Sequence, residues 1–560
     1  MALTVPNSGL KEWVRELVDE CLVSRETRRD QMKMWTSYYY NGSVDEGQAA
    51  YNRVFSHIDR LASFLYSPTE TRYILEGDAA EGPDVHDLLQ AGNRRFNREI
   101  SRSNTDVAFY DALVWSLVKG SAFVKQIWGD EEMLEPHVVQ PERMGVLRED
   151  ITELDRQEAF VETCWLTKSA FKRTLPEDMD PRERNKIMER LDSMQRPAGD
   201  QDPLAEDYLL NMVVGGIAPV TIGPNQGRAT VQWSAVPIPN LAPTVAKRLI
   251  RVDELWVKDR KRRDWTTFRL VGLEMLVEGN IRKRNVSDVE GEQPYTKICP
   301  NETQGYFWGQ SEVAQIYRLQ DRLNAQINIL QEVTGLKADP PKAFVGFTGI
   351  TEEKYNAMRT PGGYIYEENP NAKIQAIPPD VPPELLIEAI KETINYFDDV
   401  AGFTPVLLGQ GEPGVRSQAQ AQTLARNSSP RMRNRALRVE RQCVELGEYA
   451  FKLLAAKDAT LYSTEQKQRM ILKNLFDWDF EITVDSHSSS PAFSEDARQL
   501  ALTLRKIGAI DDEATLMLTH PPHEDLLILR ARAKAKAQAE FMAKHPEMAM
   551  GRKPGRPKGS

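Results

Sequence analysis

The sequence predicts an α+β fold in which helical and β-rich stretches occupy separate parts of the chain. Three observations carry that expectation. Residues 8 to 130 place apolar side chains at helical spacing. Residues 131 to 300 hold short β-branched runs punctuated by proline at 219, 237, 239 and 243. The strand–helix alternation that builds a parallel sheet is missing.

Leu10, Trp13, Val14, Leu17 and Val18 recur as one face of a first helix. A second amphipathic stretch begins at Asn52-Arg-Val-Phe-Ser-His-Ile-Asp, and a third runs from Asp106 to Val118. Gly120-Ser-Ala-Phe-Val-Lys-Gln-Ile-Trp128 then turns into a strand. Strand candidates in the next part are Glu135-Pro-His-Val-Val, Thr230-Val-Gln-Trp and Leu255-Trp-Val-Lys. One helical insertion lies between Thr167 and Gln195.

From 309 onward the pattern is most informative. Ser311 suits the cap of a helix over Glu312 to Thr334, with Gly335 as its stop. Ile316, Leu319, Leu323, Ile327, Leu330 and Val333 form its apolar stripe. A small β-rich insert follows, with strands expected at Lys342-Ala-Phe-Val-Gly and Gly363-Tyr-Ile-Tyr and prolines at both ends. A second helix is expected over Glu384 to Val400, with Leu386, Ile390, Ile394, Phe397 and Ala401 on one face. After a Gly/Pro-rich break, a long helical segment with a break near Pro430 reaches Ala456. Ser494 opens a helix that stops at Gly508, and an Ala/Lys/Arg-rich helix follows Pro521-Pro522.

The chain has 560 residues, enough for three or four structural units, and is 41% hydrophobic and 28% charged, so it can bury a core without disulfides or metals. A net charge of -10 excludes a basic coat over the whole surface, though not local DNA contacts. No apolar stretch is long enough to span a bilayer, and the N-terminus has no signal-peptide core. Cys21, Cys164, Cys299 and Cys443 form no close pair, which fits a reducing compartment and indicates neither zinc nor redox chemistry.

Catalytic signatures are sparse. Gly409, Gly411 and Gly414 match a dinucleotide-type glycine turn, but Pro413 interrupts it and no parallel strand precedes it. A flexible loop between helices is the preferred reading. No phosphate-binding P-loop, nucleophile elbow or zinc-protease motif occurs. His520-Pro-Pro-His523 near Asp511, Asp512 and Glu513 reads as a helix break rather than a metal site. The chain therefore reads as a non-enzyme with no cofactor and no metal.

The charge patterns carry two readings each. Glu384, Glu388 and Glu392 recur every fourth residue, and Asp399 continues that face. They are either a solvated helix face or an acidic surface that repels phosphate. Arg431, Arg435 and Arg438 share a helix face, where ion pairing within or between subunits is favoured over DNA contact. Lys258-Asp-Arg-Lys-Arg-Arg263 reads as a charged hairpin tip. The tail carries Arg552, Lys553, Arg556 and Lys558 without an acid, which suits weak, salt-sensitive phosphate contact. The run Trp35-Thr-Ser-Tyr-Tyr-Tyr40 reads as core rather than a base-stacking platform.

The order of these elements resembles the portal proteins of tailed double-stranded DNA bacteriophages, the head-to-tail connector family. Trp35 to Gly42 resembles the family's aromatic–Tyr-Tyr-x-Gly stretch, and Asn52 to Asp59 the helix after it. Asp111 to Trp128 is similar to the segment that enters the wing sheet. Phe307-Trp-Gly-Gln-Ser311 resembles the Gly-x-Ser entry to the first stem helix, and Pro405-Val-Leu-Leu-Gly409 the Pro-x-x-Leu-Gly before the tunnel loop. The resemblance implies a wing over 1–308, a first stem helix at 309–335, a clip at 336–381 and a second stem helix at 382–404. A tunnel loop at 405–416 would comprise Gly409, Gln410, Gly411, Glu412, Pro413 and Gly414. A long wing helix and return strand would fill 417–492, a crown 493–545 and a basic tail 546–560. It further implies a ring of twelve copies at one capsid vertex of the virion, assembled in the host cytoplasm. Double-stranded DNA would pass through its channel during packaging and ejection, past Glu384, Glu388, Glu392 and Asp399. The terminase large subunit, a head-completion or tail adaptor protein, and the major capsid and scaffolding proteins would be its partners, with no membrane. A nucleotide-binding enzyme and another virion structural protein are the alternatives.

Overall fold

The structure, a computed structural model, describes residues 8–42, 51–68, 71–77, 83–129, 133–167, 181–194, 249–258, 264–271, 291–338, 340–347, 351–358, 369–377, 382–402, 430–456, 480–484, 500–510 and 512–519, with a few shorter pieces. Mixed helix and sheet are segregated along the chain, as an α+β fold requires.

Four helices lead: α1 (Leu10–Asn41), α2 (Arg53–Leu65), α3 (Pro83–Arg102) and α4 (Thr105–Lys119), with β1 (Tyr73–Gly77) after α2. Asn52 caps α2 by accepting from the Phe55 amide at 3.0 Å, as its place before the apolar run suggests. Next come β2 (Ala122–Trp128), β3 (Leu134–Val139), β4 (Met144–Val146), β5 (Ala159–Thr167), α5 (Pro181–Met194), β6 (Leu249–Lys258), β7 (Trp265–Val271), β8 (Met275–Leu276) and β9 (Tyr295–Ile298). The expected helical insertion is α5. The Thr230–Trp233 strand candidate lies outside the described residues. One antiparallel sheet has the order β8–β7–β6–β5–β4 and a second β9–β2–β3. Lys258 pairs with Trp265, and the basic segment between them lies outside the described residues.

Both faces of the five-stranded sheet are covered. Ala159 and Val161 meet Val14, Leu17, Val18 and Cys21 of α1 on one side. The intervening Phe160 points the other way and stacks on Trp256 at 6.0 Å, against Tyr295. Strand alternation produces the two layers. Between the sheets Lys125 donates to Glu162 (2.8 Å) and Glu254 (2.7 Å), Arg143 and Arg269 take the other carboxylate oxygens at 2.9 Å, and Tyr295 donates to Glu162 at 2.6 Å. Burial alone would raise these carboxyls, but Lys125 holds both below the ordinary range. The group is a buried network in which both carboxylates are paired.

The largest core joins α1, α2, α4 and α9 (Pro430–Ala456), and includes Trp35, Tyr38 and Tyr39. The aromatic run is therefore core. β1 pairs with β12 (Phe480–Val484), from Tyr73 opposite Val484 to Gly77 opposite Phe480.

A hairpin of α6 (Val313–Ala338) and α8 (Pro383–Ala401) leaves this body. Between them lie β10 (Lys342–Val345), α7 (Glu352–Met358) and β11 (Lys373–Ala376). One expectation needs correction. Helix α6 runs through Gly335 to Ala338, because one glycine costs only about 1 kcal/mol in a helix whereas Pro340-Pro341 cannot continue it. Strand β10 pairs with β11, and the other strand candidate, Gly363–Tyr366, lies outside the described residues. Near the end, Gly508 at φ 76° closes a helix described over 500–506, and α10 (Asp512–Thr519) follows. His520 to His523 lie outside the described residues.

Candidate functional site: the helical hairpin

The hairpin is seated by a polar socket at its base. Gly309 and Gly120 press backbone on backbone: a Cβ on Gly309 would lie 2.2 Å from Cys299 Sγ and 2.3 Å from the Gly120 carbonyl. Gly120 also sits at φ 93°, in glycine territory. That contact explains why the Gly-x-Ser entry needs its glycine. Ser311 caps α6, accepting from the Ala314 amide at 3.2 Å while its hydroxyl donates to the Val118 carbonyl.

Glu312 follows, with its side chain wholly buried. Its Oε2 accepts from Arg435 (2.7 Å), Asn301 (3.0 Å) and Gln315 (3.1 Å), and its Oε1 lies 3.6 Å from His57 Nε2. Two to three turns further, Gln320 donates to the Tyr51 carbonyl at 2.8 Å, Asn324 donates to the Gly42 carbonyl at 3.0 Å, and Tyr38 donates to Asp321 at 2.7 Å. On α8, Asp398 receives Arg60 at 3.0 Å and Arg53 at 3.4 Å, and Phe397 packs near His57. Thr393 donates to Gln326 at 2.9 Å and ties the two helices together.

Beyond this socket the hairpin is bare. The α8 face opposite Phe397 and Asp398 carries Leu385, Glu388, Glu392, Tyr396 and Asp399, all exposed. The four acids singled out in the sequence thus lie along one exposed side of α8, with Glu384, a turn before Glu388, 3.8 Å from Lys337. The sequence reading missed Arg318 and Arg322, which are exposed on the outer side of α6. Arg322 lies close enough to Tyr396 to act on its hydroxyl, so the face is mixed in charge rather than purely acidic. Their spacing of four, in step with the exposed Ile329 and Leu336, was the available signal. At the far end Val345, Ile374 and Ile377 are exposed on the small sheet.

The arginine group divides. Arg435 is 4% exposed and paired with Glu312 inside the chain, so it serves neither DNA nor a neighbour. Arg438 meets the Pro300 carbonyl at 3.4 Å and Glu302 at 3.7 Å, again within the chain. Arg431 heads α9, and its side chain lies outside the described residues. Gly409 to Gly414 and the tail residues Arg552, Lys553, Arg556 and Lys558 also lie outside them. Among the described residues, no three His, Cys, Asp or Glu side chains gather to hold a metal, and no helix is long and apolar enough to cross a membrane.

No protein-family profile and no curated protein matches the chain. Solved structures similar to it include a chain of the virion of a native gene transfer agent (GTA) particle, at 12% identity and TM-score 0.37, covering 90% of this chain and 99% of that one. A chain from the neck of the empty GTA particle covers 83% and 89%, with 12% identity and TM-score 0.37. At these values the likeness carries no argument.

Proposed function

We propose that this chain is the subunit of a portal ring, the channel through which a phage-type capsid takes in and releases double-stranded DNA. The observation that carries the reading is the α6–α8 hairpin. It is fastened at its base by the Glu312, Gln320 and Asp398 contacts, yet its outer half exposes Ile329, Leu336, Leu385 and Ile387 and ends in a small sheet with Ile374 and Ile377 bare. Large apolar side chains clustered at the free end of a projection are what a subunit shows when copies of itself cover them. Ring closure requires heterologous contacts, with different faces of each copy meeting.

In this reading α6 and α8 are the stem, the segment 339–381 is the clip, and the body around α1–α4, α9 and the sheets is the wing. Glu388, Glu392 and Asp399, on the face turned from the wing, look onto the channel. Carboxylates there keep phosphate from adhering while Arg318 and Arg322 limit the repulsion, so DNA slides in either direction. The clip meets the terminase large subunit and later an adaptor protein, and the loop Gly409–Gly414 is the constriction. ATP hydrolysis belongs to the motor.

Electron microscopy of negatively stained protein, with mass by light scattering, tests this. Rings with a central hole at roughly twelve times 63.6 kDa are expected. A compact dimer or tetramer without a hole refutes it.

A further inference from the structure

The two outer edges of the hairpin differ from each other and fit each other. Helix α6 meets α8 through Gln326, and α8 meets α6 through Thr393. With about 3.6 residues per turn, the edge of α6 turned from α8 carries Asn328, Gln331 and Gly335, with Glu332 beside them. The corresponding edge of α8 carries Ile387, Lys391 and Asn395. The helices are antiparallel, with Gln326 level with Thr393 and Lys337 level with Glu384. Glu332 therefore stands within one turn of the height of Lys391, and Gly335 within one turn of Ile387.

The chemistry of the edges is complementary. Glu332 and Lys391 are both exposed, and neither has an ion-pair partner among the described residues. Other salt bridges of the hairpin use different side chains, Lys337 with Glu384 at the surface and Arg53 and Arg60 with Asp398 in the half-buried socket. Ile387 is 42% exposed, and the space a Cβ would enter at Gly335 is open, with no atom within 4 Å. A helix-interior glycine on an open edge admits a bulky neighbour closely.

We infer that the α6 edge of one copy packs against the α8 edge of the next, with Glu332 of one copy paired to Lys391 of its neighbour and Ile387 seated over Gly335. The occupant of each edge is a second copy of this chain. The inference rests on the ring reading and adds its direction: each copy offers α6 to one side and α8 to the other, a heterologous contact that closes by rotation. An exposed ion pair contributes little strength, so Glu332 and Lys391 select register and partner while the apolar contact supplies affinity.

Charge reversal tests it. The full-length chain and the variants Glu332→Lys, Lys391→Glu and the double swap are compared by light scattering and electron microscopy across a concentration series. Each single reversal places like charges together, and should raise the concentration for half-assembly about tenfold, while the double swap returns it to within about twofold of the parent. Circular dichroism melts should be unchanged for all three, since both side chains are exposed. Rings from the parent with unaltered assembly of the single variants overturn the edge contact and leave the ring reading standing. So do single variants whose loss the double swap does not restore. A parent that never forms rings overturns both.

Discussion

Replacing Arg435 by leucine should unseat the hairpin from the body of the subunit. The Glu312 carboxylate is wholly buried, and Arg435, 4% exposed, is its charged partner at 2.7 Å. Asn301 and Gln315 remain as neutral donors at 3.0 and 3.1 Å, and the start of α6 offers the favourable end of its dipole. These do not replace a buried counter-charge. Removing one partner of such a pair costs about 3–5 kcal/mol, because the other is left charged in a dry site. The double variant Arg435→Leu with Glu312→Gln removes that stranded charge and should recover about half of the loss. Urea unfolding followed by tryptophan emission reads both, since Trp308 is fully buried in the core behind Gly309. An Arg435→Leu protein within about 1 kcal/mol of the parent, or a double variant no better than the single one, would refute the reading of Glu312 as the electrostatic anchor.

Three further outcomes are expected. Gly309→Ala drives a methyl into Cys299 Sγ and the Gly120 carbonyl, and should cost at least about 3 kcal/mol in the same unfolding assay, whereas Gly335→Ala should be neutral or slightly stabilising; equal effects would discard the backbone-contact account. Burial pushes the Asp106 carboxyl up to about 7, against a smaller opposing effect of the nearby Tyr66 hydroxyl. The fold then keeps a proton that the unfolded chain has released. This contribution to stability is full below about pH 4 and falls towards pH 7, by at most about 1.4 kcal/mol per pH unit. Asp106→Asn should flatten the unfolding midpoint over that window, and a parent already flat there counts against the assignment. Glu388→Lys with Glu392→Lys should form rings normally yet slow DNA packaging in an in-vitro assay with the motor; an unchanged rate would place that face away from the channel.

Local pattern carried the reading of the chain as far as local pattern reaches. The stripe Ile316–Val333 located α6, the apolar face from Leu386 to Ala401 located α8, and Ser311 was recognisable as a cap from its position alone. Long-range pairing was beyond periodicity. Arg435 reads as a surface arginine on a helix face until Glu312, 123 residues earlier, is seen beside it. Strand β11 is short and mostly polar, Lys-Ile-Gln-Ala, too weak a pattern to be read as a strand before its pairing with β10 is seen. Gly335 looked like a stop because glycine often closes a helix, yet here its cost is small and the helix ends only before Pro340-Pro341. On the hairpin face, attention to one sign of charge hid Arg318 and Arg322.

The pairing of β1 with β12 bears on when the subunit is completed during its synthesis. Tyr73 to Gly77 leave the ribosome early, but their partner Phe480 to Val484 follows about four hundred residues later. At about 5–20 residues per second that is a delay of roughly 20–80 seconds. Through it Tyr73 and Leu75, both buried in the finished body, lack their strand neighbour, while the hairpin and the small sheet at its tip have already emerged. The projecting part is thus translated before the body that carries it can close. A nascent chain halted before Phe480 should show β1 open to proteolysis, and the last part of the body acts as a timer on the first.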